Sequence, residues 1–179
     1  MIETTLKDKV PPHDIEAERA VLGALLLNWG AMADVIGKLR PERFYSLQNQ
    51  VIFEALTELF AHNIQGDTLT LIDQLRKNEK LEQAGGTAYI ASLTDTVPSS
   101  ANIEYYADIV LDRATRRDLI KISSEIKAAS FELGKESTAL LDSAEQRIFA
   151  LAERNETTVI HDAKSIMINL FYKFLKQKV

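Results

Sequence analysis

No cysteine occurs in the 179 residues, so disulfides, zinc–thiolate sites and thiol nucleophiles are excluded from this chain. Histidine is nearly as scarce. His13, His62 and His161 stand far apart, with no metal-ligand spacing between any two. Proline stops at Pro98, and Gly134 is the one glycine after it, so little interrupts a helix in the C-terminal half. Long apolar runs are also missing. The richest, Ile166 to Leu175, contains Asn169 and Lys173 and is about half the roughly 20 residues a membrane span needs. The first apolar stretch, from Ala20, follows carboxylates and Pro11-Pro12, which is not a signal-peptide pattern. No Gly-x-x-x-x-Gly-Lys-[Ser/Thr] occurs; Gly134-Lys135 has Ala129 where the upstream glycine would stand. A net charge of −5 argues against tight, non-specific nucleic-acid binding over the whole surface. What remains, 46% hydrophobic and 26% charged, is an ordinary globular composition, compatible with a reducing cytoplasm.

What is present reads as helix almost throughout. Asp14 can cap a first helix to about Asn28, with Glu16 and Glu18 at its positive end and Val21, Leu22, Leu25 and Leu26 as one apolar stripe. Gly23 inside it costs about 1 kcal/mol against alanine, which a close helix–helix approach would offset. A short helix covers about Ala31 to Lys38, and Pro41 starts a one-turn element. Ser46 is expected to cap a helix to about His62, and Asp67 one carrying Leu69, Leu71, Ile72 and Leu75. Gly85-Gly86 marks a turn before a helix with Tyr89, Ile90 and Leu93.

After Pro98 a long helix is expected from Asn102 to Leu133, and a second from Ser137 to Glu153, ending the first at Gly134. The two form a hairpin, with Leu119, Ile122, Ile126 and Leu133 facing Leu140, Ala144, Ile148 and Leu151. The fold class is therefore all-α: a compact bundle, a long helical hairpin and a separate C-terminal helix. The expected bounds are a leader over 1–13, a bundle over 14–100, a hairpin over 101–155, a linker over 156–162 and a last helix over 163–179. No strand pattern exceeds Thr157 to Ile160.

Chemistry is sparse. Glu104, Asp108 and Asp112 share one helix face, but without the Glu-x-x-His of bundle di-metal sites they read as a salt-bridged surface, Asp112 with Arg116. Arg113, Arg116, Arg117 and Lys121 are the densest basic run and the candidate polar or nucleic-acid contact, although Asp112, Asp118 and Glu125 can balance them. No serine or threonine has a His–Asp pattern near it. Apolar surfaces are better candidates. On the hairpin, Phe131 and Phe149 flank the facing stripe, which two helices alone cannot cover on all sides. On the last helix, Ile166, Met167, Ile168, Leu170, Phe171, Tyr172, Phe174 and Leu175 surround most of the circumference, which calls for burial, and Ile166, Met167, Leu170, Phe171 and Phe174 are the candidate docking residues.

Several stretches resemble the N-terminal domain of DnaB-family replicative DNA helicases. The opening, Asp14 to Leu27, is followed in order by Pro41-Glu42-Arg43-Phe44-Tyr45, Ile52 to Leu56, Gly85 to Ile90 and Pro98 to Ile103. Together they cover about Asp14 to Arg117. The resemblance implies a collar domain whose hairpins pair between subunits, from dimer to hexamer, and on which the helicase-binding domain of primase docks; a helicase loader is a further candidate partner. It implies that Ala163 to Lys176 is a linker helix docking on a neighbouring subunit, and that ATP and Mg2+ belong to a motor domain absent from this sequence. The expected function is thus interaction and assembly in DNA replication, without cofactor, membrane or catalysis of its own. The rivals are the helicase-binding C-terminal domain of primase, similar in architecture, a nucleic-acid-binding module and a small helical enzyme.

Overall fold

The computed structural model describes residues 9–95, 100–132, 134 and 136–153. The Pro98 turn, Leu133, the Thr157 to Ile160 stretch, His161 and the whole expected linker helix, with Ile166, Met167, Leu170, Phe171 and Phe174, lie outside them. Every regular element among the described residues is helical. In chain order they are α1 (Ile15–Leu27), α2 (Met32–Ile36), α3 (Leu47–Ala61), α4 (Thr68–Lys77), α5 (Gly86–Asp95) and α6 (Ile103–Ser130). A further helix, α7, covers 137–153. Single 3-10 turns stand at Trp29–Ala31, Pro41–Arg43 and Ser100–Asn102.

The helix ends follow their local chemistry. Asp14 accepts the Ala17 N–H at 3.0 Å and starts α1. Asp67 starts α4 through a reciprocal pair: it accepts the Thr70 N–H, while the Thr70 hydroxyl accepts the Asp67 N–H, both at 2.8 Å. The Thr70 N–H, first, and then the Thr70 hydroxyl, which also donates to the carboxylate at 3.0 Å, hold the Asp67 carboxyl below the usual carboxylate range. Three helical segments close in the same way. After α3 the Ile64 N–H reaches Leu59 O, after α4 Lys80 reaches Leu75, and before α5 Gly86 reaches Leu81. Each closure needs a left-handed residue, supplied by Asn63 (φ 55°), Glu79 (φ 56°) and Gly85 (φ 89°).

The chain divides into two compact units, one ending at Arg117 and one beginning at Asp118. In the first, α1 is central and packs on α3 and α5, while α3 packs on α4. Ala17, Ala20, Val21, Leu22, Ala24 and Leu25 bury α1 on most sides, so small residues let its neighbours approach closely. Phe44 and Phe53 meet in the core with ring centroids 4.9 Å apart, joined by Ile52, Leu56, Leu71, Leu75, Ile90 and Leu93. Burying each of these large side chains contributes about 1.5–3 kcal/mol. The turn before α4 is packed under an indole: a Cβ on Gly66 would run into the Trp29 ring. Leu69, expected on the apolar face of α4, points outward instead.

The bundle does not end at residue 100. Ile103, Ala107, Val110 and Ala114 of α6 are all buried, and three of them belong to the same core cluster. Their 4-3-4 spacing keeps one face of α6 on the bundle for three turns before the second unit starts. In that unit α6 and α7 are antiparallel partners of a hairpin. Ile122, Ile126 and Ala129 line its seam from α6, and Leu140, Ala144 and Leu151 from α7. Arg147 crosses the seam to Glu125 at 2.6 Å.

Candidate interaction surface

The hairpin buries little and exposes much. Among the described residues from Asp118 onward Leu151 is the one buried hydrophobic side chain. Leu119, Ile120, Phe131, Leu141, Ile148 and Phe149 are all exposed, Phe131 at 76% and Leu141 at 70%. They fall on definite faces. Leu141 and Ile148 are two turns apart on one side of α7, with Phe149 beside them, while Ile120 lies on α6 and Phe131 directly follows its last residue. A two-helix unit with so small a core and so many outward apolar side chains has the character of an interface.

Of the expected self-association residues, Ile122, Ile126 and Leu140 are half-buried in the seam, whereas Leu119, Phe131, Ile148 and Phe149 are exposed. Ile148 is thus not the seam residue the spacing suggested. A helix of 3.6 residues per turn brings Leu140, Ala144, Arg147 and Leu151 to one face, so Arg147 holds that position and Ile148 turns to its edge.

The basic run divides. Arg113 and Arg116 both donate to Asp112, at 2.6 and 2.9 Å. The Arg116 hydrogen bond holds the Asp112 carboxyl below its ordinary value, and Asp112 in turn raises that of Arg116. Lys121 lies beside Asp118 and Glu125 along the seam. Arg117 is taken up by the fold: it donates to Pro12 O at 2.9 Å and to Arg43 O at 2.5 Å, with its guanidinium 5.6 Å from the Tyr45 ring centroid. Glu104 and Asp108 both face Lys38, at 3.7 and 3.3 Å, which accounts for two of the three carboxylates on that helix face. Among the described residues no cluster of three or more His, Asp or Glu could hold a metal. His62 bonds the Glu58 carbonyl through Nδ1, and His13 stacks on Tyr45.

One polar site was not expected. Glu18 is 1% exposed, and its carboxylate accepts the N–H groups of Tyr45 and Ser46 at 2.6 and 3.2 Å and the Asn49 amide at 2.8 Å. Asn49 in turn accepts the Tyr89 hydroxyl at 2.7 Å, while burial pushes the Tyr89 phenol up. Ser46 holds the cap position of α3 but its side chain makes no capping bond; Glu18, from α1, instead fixes the residues entering the helix by accepting the Tyr45 and Ser46 N–H groups. The signal lay in register. Glu18 stands three and four residues before Val21 and Leu22, in line with the apolar stripe.

Within the described residues no single helix is long and apolar enough to cross a membrane. Comparison with known proteins matches residues 10–112 to the DnaB-like helicase N-terminal domain. The replicative DNA helicase DnaB of Treponema pallidum (strain Nichols) is 42% identical over 165 residues, covering 92% of this chain and 38% of that protein. Among solved structures, the N-terminal domain of DnaB helicase from Mycobacterium tuberculosis superposes with a TM-score of 0.73 at 32% identity, over 79% of this chain and 99% of that one. A DnaB-like replicative helicase, whose structure was described with its interactions with primase, shares the fold at a TM-score of 0.65. Its identity is 22%, over 85% of this chain and 35% of that one. The chain spans well under half the length of the curated relatives it matches.

Proposed function

The chain belongs to the DnaB-like helicase N-terminal domain family, and from that premise we propose that it is an interaction and assembly domain of a replicative DNA helicase. It builds the N-terminal collar of a hexamer by self-association of hairpins and presents a docking surface to the helicase-binding domain of primase. The observation that carries this reading is the hairpin, with Leu151 buried among its described residues and Leu119, Ile120, Phe131, Leu141, Ile148 and Phe149 turned outward. Apolar area of that kind is stabilised by a second copy, and apolar faces rather than a reacting centre supply the binding energy.

The sequence has no phosphate-binding loop, and by its resemblance to the family ATP and Mg2+ belong to a motor domain. DNA contact is weak, because Asp112 engages two of the basic run and main-chain carbonyls engage Arg117. Ile166, Met167, Leu170, Phe171 and Phe174 dock on a neighbouring subunit, and a helicase loader is a second client of the collar. The domain works in the cytoplasm. The primase that a structural relative is described with supports the choice of partner.

The test is a calorimetric titration with the helicase-binding domain of primase from the same organism, run beside native mass measurement of the chain alone. Saturable binding to an assembled species is the expected result. A ratio below one primase per chain places the site across subunits. A monomer at concentrations of tens of micromolar, or an assembled species that does not bind primase, overturns the corresponding half of the reading.

A further inference from the structure

The segment ahead of α1 is held in place by very little burial. Val10 is 66% exposed, and Lys9, Pro11 and His13 are exposed as well. Its attachment is specific instead. The Pro12 carbonyl accepts from Arg117 Nη1 at 2.9 Å. The His13 ring lies on the Tyr45 ring, centroids 4.3 Å apart and 15° from parallel.

The same guanidinium holds the Pro41–Arg43 turn and rests on the Tyr45 ring just beyond it. Arg117 Nη2 donates to the Arg43 carbonyl, and its guanidinium sits 5.6 Å from the Tyr45 ring centroid. Arg117 is three residues beyond Ala114, at the next step of the buried Ile103, Ala107, Val110 and Ala114 seam. Where that pattern calls for one more apolar side chain, α6 carries a planar fork of donors aimed at two main-chain carbonyls from different segments. A 3-10 turn this short leaves its last carbonyls without helical partners, and the guanidinium satisfies one of them.

We propose that Pro11–His13 is a strap that Arg117 and Tyr45 latch across the Pro41–Arg43 turn, and that releasing the strap opens the turn. Three chain segments meet at one guanidinium and one phenol ring, so loosening any of them weakens the hold on the others. A pull on the residues before Asp14 is thereby felt at residues 41–45.

Amide hydrogen exchange in the full chain tests this at the latched turn itself. The Arg43 and Phe44 N–H groups bond to Arg40 O and Pro41 O, and their exchange tracks the population of the open turn. Arg117→Ala, His13→Ala and deletion of residues 1–13 should each speed exchange of those two amides by about tenfold or more, with exchange of the Leu71 amide on α4 unchanged. Acceleration in Arg117→Ala alone would leave a capped turn and no strap. Unchanged exchange in all three would remove the latch altogether. Should Arg117→Ala accelerate every amide by unfolding the bundle, His13→Ala and the deletion, which touch no core residue, decide the matter.

Discussion

Glu18 and Tyr45 are joined by a 2.6 Å hydrogen bond from the Tyr45 backbone N–H to a carboxylate that water barely reaches. With the Ser46 N–H and the Asn49 amide it makes Glu18 the anchor of the segment that enters α3. Removing the carboxylate takes the acceptor from three donors, one of them on the buried Asn49 side chain. Glu18→Ala should lower the unfolding free energy by roughly 3 kcal/mol, while Ser46→Ala, whose side chain makes no capping bond, should change it by less than about 0.5 kcal/mol. Urea denaturation compares the two, and equal losses would contradict the anchor role of Glu18.

Glu79 adopts a left-handed backbone (φ 56°) to close α4, a conformation that costs a side-chain-bearing residue about 1–2 kcal/mol. Glu79→Gly should therefore stabilise the bundle by about 0.5–1 kcal/mol. A lower thermal midpoint in the glycine variant would count against strain at this position.

Gly66→Ala should act in the opposite direction, because the new methyl meets the Trp29 ring. A loss of about 1–3 kcal/mol is expected, accompanied by a change in Trp29 fluorescence. The chain has no other tryptophan, so the signal is unambiguous.

Glu58 ties the end of α3 to α4 by accepting from Asn78 at 2.7 Å and Gln74 at 2.9 Å. The Asn78 bond, then the Gln74 bond, hold its carboxyl below the usual range, against a smaller opposing effect of burial. A carboxyl lowered in the folded state stabilises above its unfolded value, and that contribution fades as pH falls through the lowered one. The thermal midpoint of Glu58→Gln should thus depend less on pH than that of the parent as pH falls below about 5. Parallel curves would show that Glu58 titrates alike in both states.

Ile126 and Ile148 separate folding from assembly. Ile148→Asp places a charge on an exposed face and should leave helicity intact while reducing native mass. Ile126→Asp places it in the half-buried seam and should lower the unfolding free energy as well, by about 2 kcal/mol or more. Unchanged mass in a soluble Ile148→Asp protein would argue against assembly through that face.

Much of this fold is written locally. Asp14, Asp67 and Gly85 announce their helix boundaries through side-chain or backbone chemistry within a few residues, and the absence of proline beyond Pro98 lets α6 run from Ile103 to Ser130. What is not legible depends on partners distant in sequence. Ser46 has the right residue type for a cap, yet its side chain makes no capping bond, and Glu18 fixes the entry to α3 from α1. The bundle extends past residue 100, yet a change of composition near Pro98 does not reveal that Ile103, Ala107 and Val110 remain in the core. Ile148 turns outward rather than into the seam, since an apolar side chain on α7 can serve either. Arg117 parts from its charged neighbours, yet a guanidinium aimed at carbonyls and one aimed at solvent look alike in sequence.

The bonds that Glu18 makes at the start of α3 also bear on how the bundle comes apart. The chain entering α3 is fixed at the Tyr45 and Ser46 N–H groups and at the Asn49 amide only while α1 is docked beside it. The two helices are therefore bound into one cooperative opening unit, and the slowest-exchanging amides of both should share a single free energy of opening. Energies of substitutions at Glu18 and Asn49 will not add, because each removes part of the same network that runs on to the Tyr89 hydroxyl.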